Sequence, residues 1–312
     1  MAIHERGYRP YGGTFHSRRA PFAIADTGIR IILKTWGFRL LALLTILIFL
    51  IVVVGLYVEL QAEQGFDRLR RSIDDGASSK TFESMSVERL RVAFTVFLTS
   101  ASALGAVIAL LTGAGIVADD IRSRALSLYL VRPIQPLSYA LGKALIVPLT
   151  LGIVLLVPGL LLVCLVALWQ VDIGFWEFLS NHPDLLGVVF RTWLIASLSY
   201  TGVMLFFSSR TPRRGRVVAL SAAVYFGGMM IAGIGAGLRG TMRDVLKHAS
   251  LVGNAMTEAI LATLDMEKRS RHAERMRETL PDLSVVWWVA IAVFVIGFYT
   301  VWRRASTVEV TG

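Results

Sequence analysis

Six apolar stretches, each close to the length of a bilayer crossing, govern what this chain can fold into. They run from about 38 to 60, 92 to 118, 145 to 169, 185 to 207, 217 to 238 and 285 to 302. A hydrocarbon core about 30 Å thick takes about 20 helical residues to cross. In lipid the backbone has to satisfy its own hydrogen bonds, so such stretches form helices. The expected fold is therefore an all-α integral membrane protein with six transmembrane helices. Composition agrees, with 55% of the 312 residues hydrophobic and 17% charged, where a soluble domain carries about 25% charged residues. Pro148 and Pro158 fall in the third stretch and predict a bend or irregular turn there. The first stretch is too long, and starts too far into the chain, for a cleavable signal, so it is expected to be a retained span. The single cysteine, Cys164, lies in the third stretch, which excludes an intrachain disulfide.

The formal net charge is +10. Its distribution points to membrane orientation and away from nucleic acid. Basic residues gather in the N-terminal segment (Arg6, Arg9, Arg18, Arg19, Arg30, Lys34, Arg39), after the second stretch (Arg122, Arg124, Arg132, Lys143), after the fourth (Arg210, Arg213, Arg214, Arg216) and in the tail (Arg303, Arg304). Six crossings put all four regions on one side. The short segment after the third stretch, on the other side, holds Asp172, Glu177, His182 and Asp184 and no Lys or Arg. The positive-inside rule then makes both termini cytoplasmic. Segments 61–91 and 239–284 also carry bases, but their acids nearly balance them, and long loops weigh less in orientation.

Residues 1–21 read as a disordered cytoplasmic N-terminus, and 22–312 as a single six-span membrane domain. Between Phe22 and Phe38 an amphipathic helix is expected. Ile29, Ile32, Leu33 and Trp36 share one face, with Arg30 and Lys34 on another, a pattern suited to the membrane–water boundary. In 239–284, Met256, Ile260 and Leu264 repeat at i+4 beside Leu261. They predict an outer helix, followed by a charged helix over 267–278 that ends before Pro281.

Several chemistries are missing from the sequence. There is no phosphate-binding loop of the G-x-x-x-x-G-K-[ST] type, no H-E-x-x-H, no C-x-x-C and no G-x-S-x-G. Away from their ends the six stretches hold one charged side chain, Arg191. Proton-coupled carriers and intramembrane hydrolases need ionisable groups there. No metal site and no bound cofactor are expected, and the chain does not read as an enzyme. Any energy has to come from another polypeptide. Arg191 either snorkels to the outer interface or faces a polar cavity, where it could meet an anionic substrate group. Its helix also carries Ser197, Ser199, Tyr200 and Thr201, which with Arg191 form the candidate substrate path. Small residues at i+4 spacing, Gly105, Ala109 and Gly113 in the second stretch and Gly233 and Gly237 in the fifth, mark helix packing or a dimer seam.

The segment from Asp119 to Pro133 is polar and lies between the second and third stretches. Asp119 and Asp120 suit a helix start by capping and dipole. Asp119 with Arg122 and Asp120 with Arg124 have ion-pair spacing, while Ile121, Ala125 and Leu128 share a face. Pro133 and Pro136 are expected to stop this helix. Ala118-Asp119-Asp120, Arg124-Ala125-Leu126-Ser127-Leu128, Arg132-Pro133 and Tyr139-Ala140-Leu141-Gly142-Lys143 resemble the permease subunits of ABC-2 type transporters. The resemblance extends to the whole layout: an N-terminal interfacial helix, six spans and a helical outer loop before the sixth.

It implies a membrane-spanning permease of an ATP-driven exporter in the cytoplasmic membrane of a prokaryote. Asp119, Asp120, Ile121, Arg122, Arg124 and Leu128 would couple it to a separate ATPase subunit. Two ATPases, carrying ATP and Mg, would pair with two permeases, as a homodimer or a heterodimer, in a lipid membrane. The competing expectations are a non-transporting scaffold, or a lipid-acting enzyme relying on loop residues such as His248, Glu258 and Asp265.

Overall fold

The computed structural model describes residues 20–71, 80–123, 135–169, 174–238, 241–264 and 280–309, and every regular element among them is helical. In chain order these are α1 (Ala20–Lys34), α2 (Trp36–Arg71), α3 (Lys80–Gly113), the short α4 (Ala118–Arg122), α5 (Pro136–Leu151), a π-helical turn (Gly152–Leu156) and α6 (Val157–Trp169). They are followed by α7 (Phe175–Asn181), α8 (Pro183–Arg210), α9 (Arg214–Ala236), α10 (Thr241–Leu246), a 3₁₀ turn (Lys247–Ala249), α11 (Leu251–Leu264) and α12 (Leu283–Glu309).

Six segments are long and apolar enough to cross a membrane: Trp36–Val58, Val92–Arg122, Pro136–Trp169, Pro183–Arg210, Arg214–Gly235 and Leu283–Thr307. The chain is thus a multi-pass membrane protein. Each expected stretch falls on one of these segments. The calls on residues 1–19, on Arg124 and Leu128, and on the charged 267–278 helix lie outside the described residues.

The bundle is organised around α8. Its Ile195, Ala196, Tyr200, Met204 and Leu205 are inaccessible to solvent. α8 and α12 run parallel and touch backbone to backbone. A Cβ on Gly297 would overlap the carbonyl of Gly202, and one on Gly202 would overlap the carbonyl of Val293. Glycine at both positions is what allows this approach. Farther along, Ser209 Oγ donates to Thr300 Oγ1 at 3.1 Å, and Arg304 donates to the Ser209 carbonyl.

The third span behaves as its prolines predict. Between Pro148 and Pro158 the helix loosens into the π turn. A proline has no N–H to give, so the ladder around it is irregular. The indole of Trp193 on α8 donates to the Pro148 carbonyl at 3.1 Å and so ties the bend to the central helix. Trp193 also packs against both apolar clusters of the bundle.

One end of the bundle is basic, and there arginines finish three helices. The last turn of a helix leaves carbonyls without an internal partner and carries negative partial charge. Arg39 Nε donates to the Leu33 carbonyl of α1 at 3.1 Å, Arg214 Nη2 to Leu111 of α3 at 2.6 Å, and Arg304 to Ser209 of α8.

Candidate functional site

At the basic end the chain turns from span 2 into α4. Asp119 and Asp120 occupy its first turn, but the N-cap position is Val117 and no side chain caps the helix. The expected capping role is therefore not taken, because the Asp120 carboxylate is engaged elsewhere. Its Oδ2 lies 2.7 Å from Lys143 Nζ and accepts a 2.7 Å hydrogen bond from the Tyr139 hydroxyl, both on α5. The Asp120 and Lys143 side chains are only 15% and 12% exposed. Charges this enclosed are tolerated only when paired and hydrogen-bonded. The i,i+4 partner expected for Asp120, Arg124, lies outside the described residues.

Asp119 does meet Arg122, at 3.8 Å, and both remain open to solvent. Ile121 packs against the core, as its place on the apolar face requires. Whether Pro133 and Pro136 end the helix that begins at α4 falls outside the described residues. Pro136 itself sits in the first turn of α5, where its fixed φ and missing N–H are harmless.

α1 lies against the same α5. Gly28 faces Ile146, and Gly142 admits Ile24 and the Pro21 carbonyl so closely that a Cβ would overlap them. Ala25 and Ile32 are buried in this seam. The expected apolar face of Ile29, Ile32, Leu33 and Trp36 is accordingly split. Ile32 is buried and Ile29 half-buried, but Leu33 and Trp36 are exposed, because the glycine contact turns Ile24–Ala25–Gly28–Ile32 inward. α1, α4 and α5 are thereby joined through α5.

The opposite end carries the longer loops, and there α11 is wedged into the bundle. Ser250 accepts a hydrogen bond from the Gly253 N–H and caps the helix. At 14 residues, α11 reaches about 21 Å, too short for a full crossing. No residue from Leu251 to Leu261 is exposed. The polar members Asn254, Thr257 and Glu258 are buried together with Leu251, Val252, Ala255 and Ala259, whereas Met256 and Ile260 are half-buried. The inward face of α11 thus carries polar and apolar members alike, Glu258 among them.

The cation that Glu258 meets is Arg191. Its guanidinium lies back over Gly187, one turn nearer the loop end, and forms an ion pair with Glu258. Glu258 is 4% exposed and Arg191 46%. A second attachment runs from Thr95 Oγ1 on α3 to the Ala259 carbonyl at 2.9 Å. Beside these contacts a small cleft opens, lined by Phe94, Thr95, Leu98, Asp184, Leu185, Val188 and Ala259.

Arg191 is thus paired with an anion, and the anion is internal. The other candidate path residues, Ser197, Ser199, Tyr200 and Thr201, are all buried within the chain. The Tyr200 hydroxyl donates to the Ser102 carbonyl at 3.2 Å, and Tyr225 donates to the Tyr200 carbonyl at 3.3 Å. These contacts bind α3, α8 and α9 together.

The small-residue stripes divide. Gly105, Ala109 and Gly113 are spent inside the chain: Gly105 meets Leu151 and Tyr200, Gly113 meets Met204, and Ala109 is fully buried. Gly233 has no neighbour within 4 Å, and Gly237 has only a carbonyl of its own helix, Ile234. The close approaches of α9 are at Gly228, which with Ala232 forms another small-residue pair of this stretch, and at Gly235, against Ala249 and Leu246.

A third cluster closes the loop end. Asp282, just before α12, lies 3.3 Å from Lys247 Nζ and 3.7 Å from His248 Nε2. Burial, helped by Lys247, pulls the His248 pKa down, against Asp282 and Asp244. Among the described residues no group of three or more His, Cys, Asp or Glu could hold a metal ion.

Lys143, Tyr139 and Glu258 are the residues that sequence reasoning did not assign to these sites. Glu258 carried a usable signal, being the sole charged residue of the α11 sequence LVGNAMTEAILATL. No protein-family model and no curated protein matches the chain.

Proposed function

We propose that the chain is the membrane-spanning permease subunit of an ATP-driven transporter of the ABC-2 type, an exporter, coupled to a separate ATPase subunit through α4. The observation that carries this reading is the way α4 is mounted. Asp120 is turned into the protein, while Asp119 and Arg122 face outward at the end of a span. A short helix held this way offers two opposite charges to a soluble partner and passes a push directly to α5. Charges at such a surface give specificity and speed of association. The absence of a phosphate-binding loop from the sequence assigns ATP and Mg to the partner.

In this reading the basic end is cytoplasmic, as the arginine distribution requires. α1 lies at the membrane boundary, with Phe22, Ile31 and Trp36 exposed toward lipid and the Asp26–Arg30 pair toward water. The open Gly233–Gly237 face of α9 is available to a second permease.

Co-expression with the product of a neighbouring ATPase gene and purification in mild detergent tests the reading. The expected result is a stable complex whose ATP hydrolysis changes on permease binding. Joint charge reversal of Asp119 and Arg122 is expected to lower that coupling at least about tenfold, the worth of about 1.4 kcal/mol of interface energy. Purification with full membrane insertion but no nucleotide-hydrolysing partner would favour a scaffold instead.

A further inference from the structure

Only Thr211, Pro212 and Arg213 separate the crossing helices α8 and α9. Arg210, Arg213, Arg214 and Arg216 lie in this turn or beside it, and from Thr201 to Leu238 the sequence holds no Lys, Asp or Glu. A connection this short keeps its charges at the boundary between hydrocarbon and water. Ser209 bonds to Thr300 and to Arg304, so the end of α12 brings Arg303 to the same level. Orientation asks only for positive sign, which lysine supplies as well as arginine. Arginine adds a planar fork that grips two oxygens of a phosphate or a carboxylate.

Among the described residues no carboxylate pairs with any of these arginines. The acids of this end, Asp26, Asp119 and Asp120, are paired with Arg30, Arg122 and Lys143. Arg214 and Arg304 are engaged by the carbonyls of Leu111 and Ser209. Arg210 sits over the Phe206 ring at 3.9 Å, a contact that leaves its N–H groups for another acceptor. Arg213, Arg216 and Arg303 are exposed. Tyr299, one turn before Arg303, and Trp302 are exposed as a ring pair 5.8 Å apart. Such rings settle at the headgroup level of a bilayer. A soluble anion has no use for exposed rings beside the arginines, whereas a lipid places its phosphate on the charges and its upper chain on the rings.

We propose that the α8–α9 turn, with the end of α12, binds the phosphate of an anionic phospholipid through Arg210, Arg213, Arg216 and Arg303. Basic clusters between spans hold such headgroups by charge and by hydrogen bonds. The inference needs only that the chain crosses a membrane, and it stands whether or not an ATPase is bound.

The test uses the full chain, stripped of lipid in an uncharged detergent. Phosphatidylglycerol and phosphatidylcholine with the same acyl chains are added in equal amounts, and the lipid retained per chain is counted by native mass spectrometry. The parent is expected to retain phosphatidylglycerol in preference. Arg213→Gln with Arg216→Gln is expected to lower that retention about fivefold or more. Arg213→Lys with Arg216→Lys keeps the charge and is expected to lower it about twofold. Arg30→Gln, whose arginine is also exposed but paired with Asp26, is expected to leave it unchanged. No preference for phosphatidylglycerol in the parent overturns the site, and so does a glutamine pair that retains as much as the parent. An equal loss in Arg30→Gln overturns it by marking diffuse attraction to net charge. A lysine pair equal to the parent overturns it because sign alone then suffices. Displacement of the lipid by inorganic phosphate at the same concentration overturns it in favour of a soluble anion.

Discussion

The two ends of the bundle solve the same problem with different symmetry. At the basic end a carboxylate on a short connecting helix meets a lysine of the following span. At the loop end a carboxylate on a short helix meets an arginine of a preceding span. Asp120 and Lys143 are enclosed to the same degree, and Tyr139 adds a hydroxyl. Glu258 is enclosed and Arg191 is not. The evenly buried, doubly bonded pair braces α4 on α5. The one-sided pair stays open to solvent on its arginine side.

This contrast is open to direct attack. The largest effect is expected from Arg191→Ala, which takes the arginine away from the buried Glu258 carboxylate. Loss of one partner of a buried pair costs about 3 kcal/mol at the low end of the observed range. Glu258→Gln leaves only a half-exposed arginine and should cost about 1 kcal/mol, near the value of a single hydrogen bond. Thermal or denaturant unfolding in detergent measures both, and equal costs would remove the asymmetry. Next comes Lys143→Met, expected to cost about 2 kcal/mol, less than Arg191→Ala because the Tyr139 hydroxyl still serves Asp120. Tyr139→Phe should cost about 1 kcal/mol. A double-mutant cycle between positions 120 and 143 should show strong coupling, and additivity there would refute the brace.

The smallest effect is a pH dependence at the loop end alone. His248 has a folded pKa below its ordinary value near 6.5. The unfolded chain therefore binds the extra proton first. The contribution to stability is complete above about pH 6.5 and is lost as pH falls toward the folded value. Stability measured from pH 7.5 to 5 should decline, and His248→Gln should flatten the decline. Lys143→Met should leave that slope untouched.

The spans were legible in the sequence because a bilayer imposes length and hydropathy on every crossing. The irregular turn of the third span was legible for an equally local reason, the two prolines. The pairs were not. Neighbour rules on a helix look only three or four residues along, but Lys143, which pairs with Asp120, is 23 positions on and on another helix. Glu258 and Arg191 are farther apart still. For α11 the sequence marked an outer helix through Met256, Ile260 and Leu264, but no periodicity tells that Glu258 is turned inward to Arg191. The small-residue stripe of span 2 was open to helix packing or a dimer seam, and Gly105 and Gly113 lie against Leu151, Tyr200 and Met204 of the same chain. The close contact of Gly202 with Gly297 was missed because neither glycine has a second small residue at i+4 to make a glycine stripe.

The arginines that finish α1, α3 and α8 bear on how this protein can be engineered. Arg39, Arg214 and Arg304 are the same residues that a topology experiment would delete or move to reverse insertion. Each also closes the end of a helix. A charge-shuffled variant would therefore change its insertion signal and its helix ends at once, and a failure to accumulate would not report orientation. Replacing each arginine with lysine separates the two. It keeps the sign that insertion responds to, and exchanges a planar fork that reaches a carbonyl for a point charge that prefers water.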